Sequence, residues 1–391
     1  MLRKRIIYLF IGIFISYMVV LPSVYAEEVD LATNAKSAIL IDQDTGTILF
    51  EKNSHQPLPP ASLTKIMTML LVMEAIDSGK ITLDDKVRVS EYAASMGGSQ
   101  IFLEAGEEMS VRDLLKGVAV ASGNDASVAL AEYIAGSEEA FVAKMNEKAK
   151  ELGLKNTHFM NSNGLPVKNH YTSAYDIAVI SRELLKYEQI TRYTGIYQDY
   201  LRKNTKNPFW LVNTNRLVRF YKGVDGLKTG YTTEAKFCLA ATAKRGKFRV
   251  IAVVMGAPST KIRNKEVSRL LDYAFSQYKN EVIYEKNQPV INAKVSKGKK
   301  DYVSLITPYQ ISVLMKKEEK LTNYEKVIIV DENIIAPIEK GEVLGKLQTI
   351  KDGKVVQTFP LIAEENINKA SLWDMIKKTT KSQLLLSKNS E

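Results

Sequence analysis

The chain has 391 residues, of which 45% are hydrophobic and 25% charged, and it carries a net charge of +10. That length exceeds one ordinary compact core, and the composition is that of a folded protein, without low-complexity blocks or a fixed repeat. The single cysteine, Cys238, excludes an internal disulfide.

Taken from the N-terminus, Arg3, Lys4 and Arg5 precede an apolar run over 6–15, and Val24-Tyr25-Ala26 offers a small-residue cleavage site before Glu27 and Glu28. Residues 1–26 read as a signal peptide, with an uncleaved anchor helix as the alternative. For an exported chain the cationic surplus points to anionic membrane or wall polymers rather than nucleic acid. Segments 36–42 and 47–51 flank Asp44-Thr45-Gly46 and predict a β-hairpin. The apolar stretch 62–78, closed by Gly79, predicts a buried helix, and 111–121 and 126–134 predict shorter ones. A second hairpin is expected from 235–244 and 248–255 around Arg245-Gly246. Cys238 lies in its apolar strand and reads as a packed small residue rather than a nucleophile. Strands at both ends with helices between them define an α+β domain over 30–278.

Beyond Tyr278, short strand-like pieces at 290–295, 302–306, 311–315, 326–330, 343–350 and 355–359 predict a small β-rich domain over 279–363. In the tail, 364–391, Ile367, Ala370, Trp373 and Ile376 fall at helical spacing beside Lys377, Lys378 and Lys381. Such a stretch suits a membrane interface or a surface helix packed on the β domain, and spacing alone leaves both open.

Three short motifs carry chemistry: Ser62-Leu63-Thr64-Lys65, Ser122-Gly123-Asn124 and Lys228-Thr229-Gly230. Each is weak alone, since S-x-x-K recurs at Ser276 and Ser296 and S-x-N at Ser387. Their order is specific. On a helix starting at Ser62, Lys65 lies one turn on and can take the hydroxyl proton, provided that burial or a nearby cation such as Lys228 lowers its pKa. Ser122 and Asn124 fall in a tight turn suited to proton relay and to holding a substrate amide. Lys228 and Thr229 can meet a substrate carboxylate, while Gly230 leaves room for an extended substrate on the strand edge.

On these motifs the chain resembles the low-molecular-mass penicillin-binding proteins that are D-alanyl-D-alanine carboxypeptidases, and in overall likeness the sporulation-associated Gram-positive members. The resemblance implies a transpeptidase-like domain of antiparallel sheet with helices. It implies acylation of Ser62 by stem peptides ending in D-Ala-D-Ala, or by β-lactams, with Lys65 as base, and no cofactor or metal. It also implies an oxyanion hole from the backbone N–H groups of Ser62 and Tyr231, Arg263 near the substrate carboxylate, and a peripheral extracytoplasmic location.

Competing readings are a class A β-lactamase, a Ser-His-Asp hydrolase, a D,D-endopeptidase or transpeptidase, and a non-catalytic penicillin-sensing module. The first lacks a deacylating glutamate segment, since Glu151 and Asn156 are wrongly spaced. The second lacks G-x-S-x-G, and His55, His158 and His170 lie in polar turn-like stretches. A pure sensor has no need of a lysine beside a serine.

Overall fold

A computed structural model describes residues 30–374 and 377. The expected signal peptide and the end of the expected tail lie outside the described residues.

The first hairpin is β1, Ser37–Asp42, and β2, Ile48–Lys52. The motif Ser122-Gly123-Asn124 lies between two helical segments and Lys228-Thr229-Gly230 on a strand, β3, Val224–Thr232, followed by β4, Lys236–Arg245, and β5, Phe248–Ala257. These five form one antiparallel sheet in the order β2–β1–β5–β4–β3, which joins the two hairpins through β1 and β5 and leaves β3 at an edge.

The central strands are buried on both faces. Along β1 and β5, Ile39, Ile41, Ile251, Val253 and Met255 enter one apolar cluster. Their neighbours Ala38, Leu40, Val250, Ala252 and Val254 enter a second. A period of two with both faces covered explains why these strands read as continuous apolar runs rather than alternating ones. Helices Lys65–Asp77 (α1), Asn124–Ala135 (α2) and Ala174–Leu184 (α3) contribute to the first cluster. Helix Thr260–Gln277 (α4) supplies Val267, Leu270, Leu271 and Ala274 to the second. α1 is apolar almost all round, as a helix enclosed by protein requires.

After α4 the chain enters β6, Tyr278–Tyr284, which pairs with β9, Ile311–Lys316. A five-stranded sheet is formed by Pro289–Lys294 (β7), Tyr302–Ile306 (β8), Glu325–Val330 (β10), Val343–Lys351 (β11) and Lys354–Ala363 (β12), in the order β7–β8–β12–β11–β10. Its core gathers Ala293, Val303, Leu305, Leu347, Phe359 and Leu361.

The β1–β2 turn ties the two regions together. Asn280 donates to Asp42 at 2.8 Å, and Ser312 donates to Asp44 at 2.6 Å. Burial pushes the Asp42 carboxyl up to about 6.

The helical spacing read in the tail does not hold at its start. Ile367 is extended, exchanging backbone hydrogen bonds with Ile338, and Ile367 and Ala370 are buried against the β region. Leu372 and Trp373 begin a helical turn and are 78% and 64% exposed.

Candidate active site

Ser62 sits in a 3-10 turn, Ala61–Thr64, and Lys65 is the first residue of α1. The expectation of an α-helix starting at Ser62 is therefore corrected, with a chemical consequence. At three residues per turn, positions i and i+3 eclipse each other, which stacks Lys65 over Ser62 more closely than α geometry would. Lys65 Nζ lies 3.1 Å from Ser62 Oγ.

Two glycines set the backbone around the serine. Gly164 has φ +89, and a Cβ there would lie 1.9 Å from the Ala61 carbonyl oxygen. At Gly230 a Cβ would come within 3.2 Å of Ser62 N. Both segments thus close on the Ser62 backbone, and Ala61 itself adopts φ +47, uncommon for a residue with a side chain.

Lys65 is wholly buried and also donates to Asn124 Oδ1 and the Asn163 carbonyl, each at 2.6 Å. Burial holds its amine well below the usual lysine range, and the cation of Lys228 adds to this, while Asp125 opposes both. Asn124 is fixed in turn: its N–H donates to Ser99 O at 2.7 Å and its Nδ2 to Gly97 O at 2.6 Å. The Asp125 carboxylate accepts from the N–H groups of Ile101 and Leu103. Asn124 and Asp125 together therefore anchor the segment 97–103, and Asn124 also reaches Lys65.

Ser122 closes a π-helical turn, Gly117–Ala121, in the left-handed conformation, φ +65. Single π turns inside helices recur at functional sites because the extra residue re-aims the side chains beyond it.

Lys228 is buried on β3 and donates to the Thr229 carbonyl at 3.0 Å. Burial, then the nearby Arg263, pushes its amine down to about 7. Thr229 donates to Thr214 Oγ1 at 2.7 Å. Arg263, on α4, is buried, donates to Asn264 Oδ1 at 2.9 Å, and is pushed down to about 10 by burial. Tyr231 is exposed and stacks on Phe237.

Cys238 is buried, and burial pushes its thiol up to about 11, as a packed residue rather than a thiolate nucleophile requires. Among the described residues no histidine bonds to Ser62, and no group of three or more His, Cys, Asp or Glu could hold a metal. Glu151 pairs with Lys148, away from the serine.

Sequence reasoning missed three contributors. Asn163 acts through its backbone oxygen, so side-chain patterns carry no trace of it. Thr214 is a polar residue in a connecting segment with no motif around it. His170 is the third: its Nδ1 accepts from Met160 N–H at 3.0 Å, which leaves Nε2–H to donate to Thr64 Oγ1 at 2.8 Å. Thr64 then donates to the Ala61 carbonyl, 2.8 Å away. Burial pushes His170 down to about 4, so the ring stays neutral in this chain of bonds.

A serine paired with a buried lysine, flanked by an amide and by two cations beside an open strand edge, defines a serine acyl-transfer enzyme. The sequence profile of D-alanyl-D-alanine carboxypeptidases matches residues 24–259, and that of the C-terminal domain of penicillin-binding protein 5 matches 278–369. The chain belongs to the D-alanyl-D-alanine carboxypeptidase family. It is 58% identical to D-alanyl-D-alanine carboxypeptidase DacF of Bacillus subtilis over 363 residues, 92% of this chain and 93% of the relative. Penicillin-binding protein 5 of Haemophilus influenzae superposes with a TM-score of 0.69 at 34% identity, covering 86% of this chain and 98% of that one. A mutant Streptomyces K15 DD-transpeptidase superposes at 0.58 with 30% identity, covering 62% of this chain and 98% of that one.

Proposed function

We propose that Ser62 is the acyl-carrying nucleophile of this D-alanyl-D-alanine carboxypeptidase and that Lys65 is its base. The observation that carries the assignment is the 3.1 Å approach of Lys65 Nζ to Ser62 Oγ where burial disfavours the ammonium form.

Neutral Lys65 takes the Ser62 proton as Oγ attacks the carbonyl of the penultimate D-Ala. The N–H groups of Ser62 and Tyr231 receive the oxyanion, a role supported by the close approach of Gly230 to Ser62 N. As the C–N bond breaks, the proton passes through Ser122 to the departing D-Ala amine. Water then cleaves the ester and Ser62 regains its proton. Asn124 holds the substrate amide and the orientation of Lys65. Lys228 and Thr229 bind the C-terminal carboxylate, with Arg263 as a second cation, and Gly230 lets the substrate backbone lie against the β3 edge. Penicillins acylate the same serine.

Fluorescent penicillin is expected to label the wild type and not Ser62→Ala, and a pentapeptide ending in D-Ala-D-Ala is expected to release D-Ala. Labelling that survives Ser62→Ala removes the nucleophile assignment. Labelling without D-Ala release moves the chain towards an endopeptidase or a sensor. The likeness to a DD-transpeptidase supports a second reading, transfer of the acyl group to an amine, which an added acceptor peptide would reveal by mass.

Export through residues 1–26, a role in the sporulation-stage wall and peripheral attachment by the tail are the finer parts of the proposal. The exposed Leu372 and Trp373, with Lys377 5.5 Å over the indole, support attachment. Deleting 371–391, which spares the buried Ile367 and Ala370, is expected to release the protein from anionic vesicles, and unchanged binding would leave the tail as surface structure.

A further inference from the structure

Between the helix Thr191–Thr194 and β3 the chain makes a small hairpin, with strands Gln198–Leu201 and Phe209–Val212, that takes no part in the acylation steps. Leu201 and Leu211 are buried on one of its faces, while Tyr200 and Trp210, paired across the strands, are exposed on the other. Its base sits at the cleft. Asn213 N–H donates to Tyr197 O at 2.8 Å. The next residue, Thr214, donates its N–H to Val120 O, in the π turn before Ser122, and its hydroxyl accepts from Thr229.

The far end of the hairpin carries Arg202, in the left-handed conformation at φ +53. Its Nε and Nη2 each donate to the Glu107 carboxylate at 2.7 Å. Nη1 donates to Ile101 O at 3.1 Å, and Nη2 also to Phe102 O at 3.0 Å. Phe209 meets the Phe102 ring edge-on, with centroids 5.6 Å apart. One planar guanidinium thus holds two carbonyls and a carboxylate at once, a pattern that the compact ammonium of lysine does not match.

The segment 97–103 belongs to no helix or strand, so side chains must fix its path. From one side the Asp125 carboxylate takes the N–H groups of Ile101 and Leu103, and from the other Arg202 takes the carbonyls of Ile101 and Phe102. What the segment supports is Asn124. Gly97 O and Ser99 O hold its Nδ2 and its backbone N–H, which leaves Oδ1 directed at Lys65 Nζ. Displacing 97–103 would turn Asn124 and admit water to an amine whose lowered pKa comes first from burial. The hairpin therefore spans the cleft, from Thr229 on one wall to the segment behind Asn124 on the other.

We propose that this hairpin is a brace between the two walls of the cleft and that Arg202 is the positioning residue that locks it, keeping Asn124 on Lys65 and water away from the amine. The proposal rests on the reading of Ser62 as nucleophile and Lys65 as base. Arg202 touches neither of them. Its loss should act on the chemical step rather than on binding, lowering kcat about five- to thirtyfold with KM changed less than about twofold.

The test follows penicillin acylation and D-Ala release against pH in wild type, Lys65→Ala, Arg202→Met, Arg202→Lys and Glu107→Gln. Arg202→Met is expected to slow both reactions by that factor and to move the Lys65-dependent limb to higher pH, because a wetter amine keeps its proton longer. Arg202→Lys keeps a cation for Glu107 but loses the fork, so it should recover melting temperature more than rate. Glu107→Gln leaves the guanidinium an acceptor and should lie close to wild type. A lower melting temperature in Arg202→Met with the limb unmoved overturns the brace, as does a loss confined to KM or full recovery of rate in Arg202→Lys. Should Arg202→Met not fold, the limb and rate of Arg202→Lys decide the matter alone. A limb that persists in Lys65→Ala removes the base assignment first, whereas a limb lost there yet unmoved in both Arg202 variants sinks only the brace.

Discussion

The peptidase region and the C-terminal β region bury very different things. The first encloses Lys65, Lys228, Arg263, Asp125 and Glu266 in its interior, whereas the buried polar groups of the second, among the described residues, are uncharged: Asn280, Thr307, Ser312 and Thr349. A buried charge costs folding free energy unless it is fully paired, and Lys65 and Lys228 are held near other cations instead. One region thus gives up stability to hold buried amines, and the other is built as ordinary sheet packing.

The largest test of that contrast is a pair of substitutions. Ser62→Ala should lower D-Ala release by on the order of 10⁴-fold or more with little change in melting temperature. Leu361→Ala, in the β core, should cost on the order of 2–5 kcal/mol in denaturant unfolding while the folded protein keeps its acylation rate. If Leu361→Ala slows acylation of the folded protein comparably, the division fails.

Lys65 sharpens the contrast through pH. Its amine is lowered, so acylation should rise with pH as the neutral form appears and then level off, and Lys65→Ala should remove this limb along with on the order of 10²–10⁴-fold in rate. A rate profile unaltered by Lys65→Ala would remove lysine as the base.

Lys228 gives a stability test of opposite sign to the usual loss on mutation. Its folded value is about 7, below the ordinary 10.5, so between those values the unfolded chain binds more protons and stability rises with pH. Lys228→Met should remove that slope and raise stability at pH 7 by on the order of a few kcal/mol, while KM for the peptide increases. A destabilised Lys228→Met at pH 7 would contradict the burial cost.

The smallest effect is expected at His170. Its folded value of about 4 lies below 6.5, so its contribution is complete above pH 6.5 and is lost as pH falls through 4. His170→Gln keeps a donor for Thr64 and should flatten this acid limb with modest loss of rate, whereas His170→Phe removes the bond and should slow acylation further. Equal behaviour of the two variants would deny the hydrogen bond any part in placing Ala61 and Ser62.

Much of the arrangement was legible in the sequence because it rests on local rules. The hairpins followed from strand residues around turn residues, and the approach of Lys65 to Ser62 from spacing within one turn. The decoy at Ser276 shows the limit of spacing: its hydroxyl bonds to Tyr273 O on the exposed face of α4, and Lys279 lies on the next strand. Features set by tertiary approach left no local trace. The 3-10 start at Ala61 depends on segments far along the chain, Gly164 and Gly230. The helices α3 and Glu138–Glu151 carry charged residues among their apolar ones and lack the long apolar run that marked α1. The tail misled at Ile367 because an extended strand-like contact and a helix can share three-residue spacing over so few positions.

The left-handed backbone at Ser122 bears on protein engineering. Glycine adopts that conformation without penalty, so a search guided by thermostability alone would favour Ser122→Gly, leaving every backbone hydrogen bond intact. On the mechanism proposed for Ser62 and Lys65, the product would be sturdier and disarmed, the proton route through Ser122 cut at one missing oxygen. Positions where a chain tolerates discomfort that glycine would relieve are therefore the ones to exempt before optimising such an enzyme.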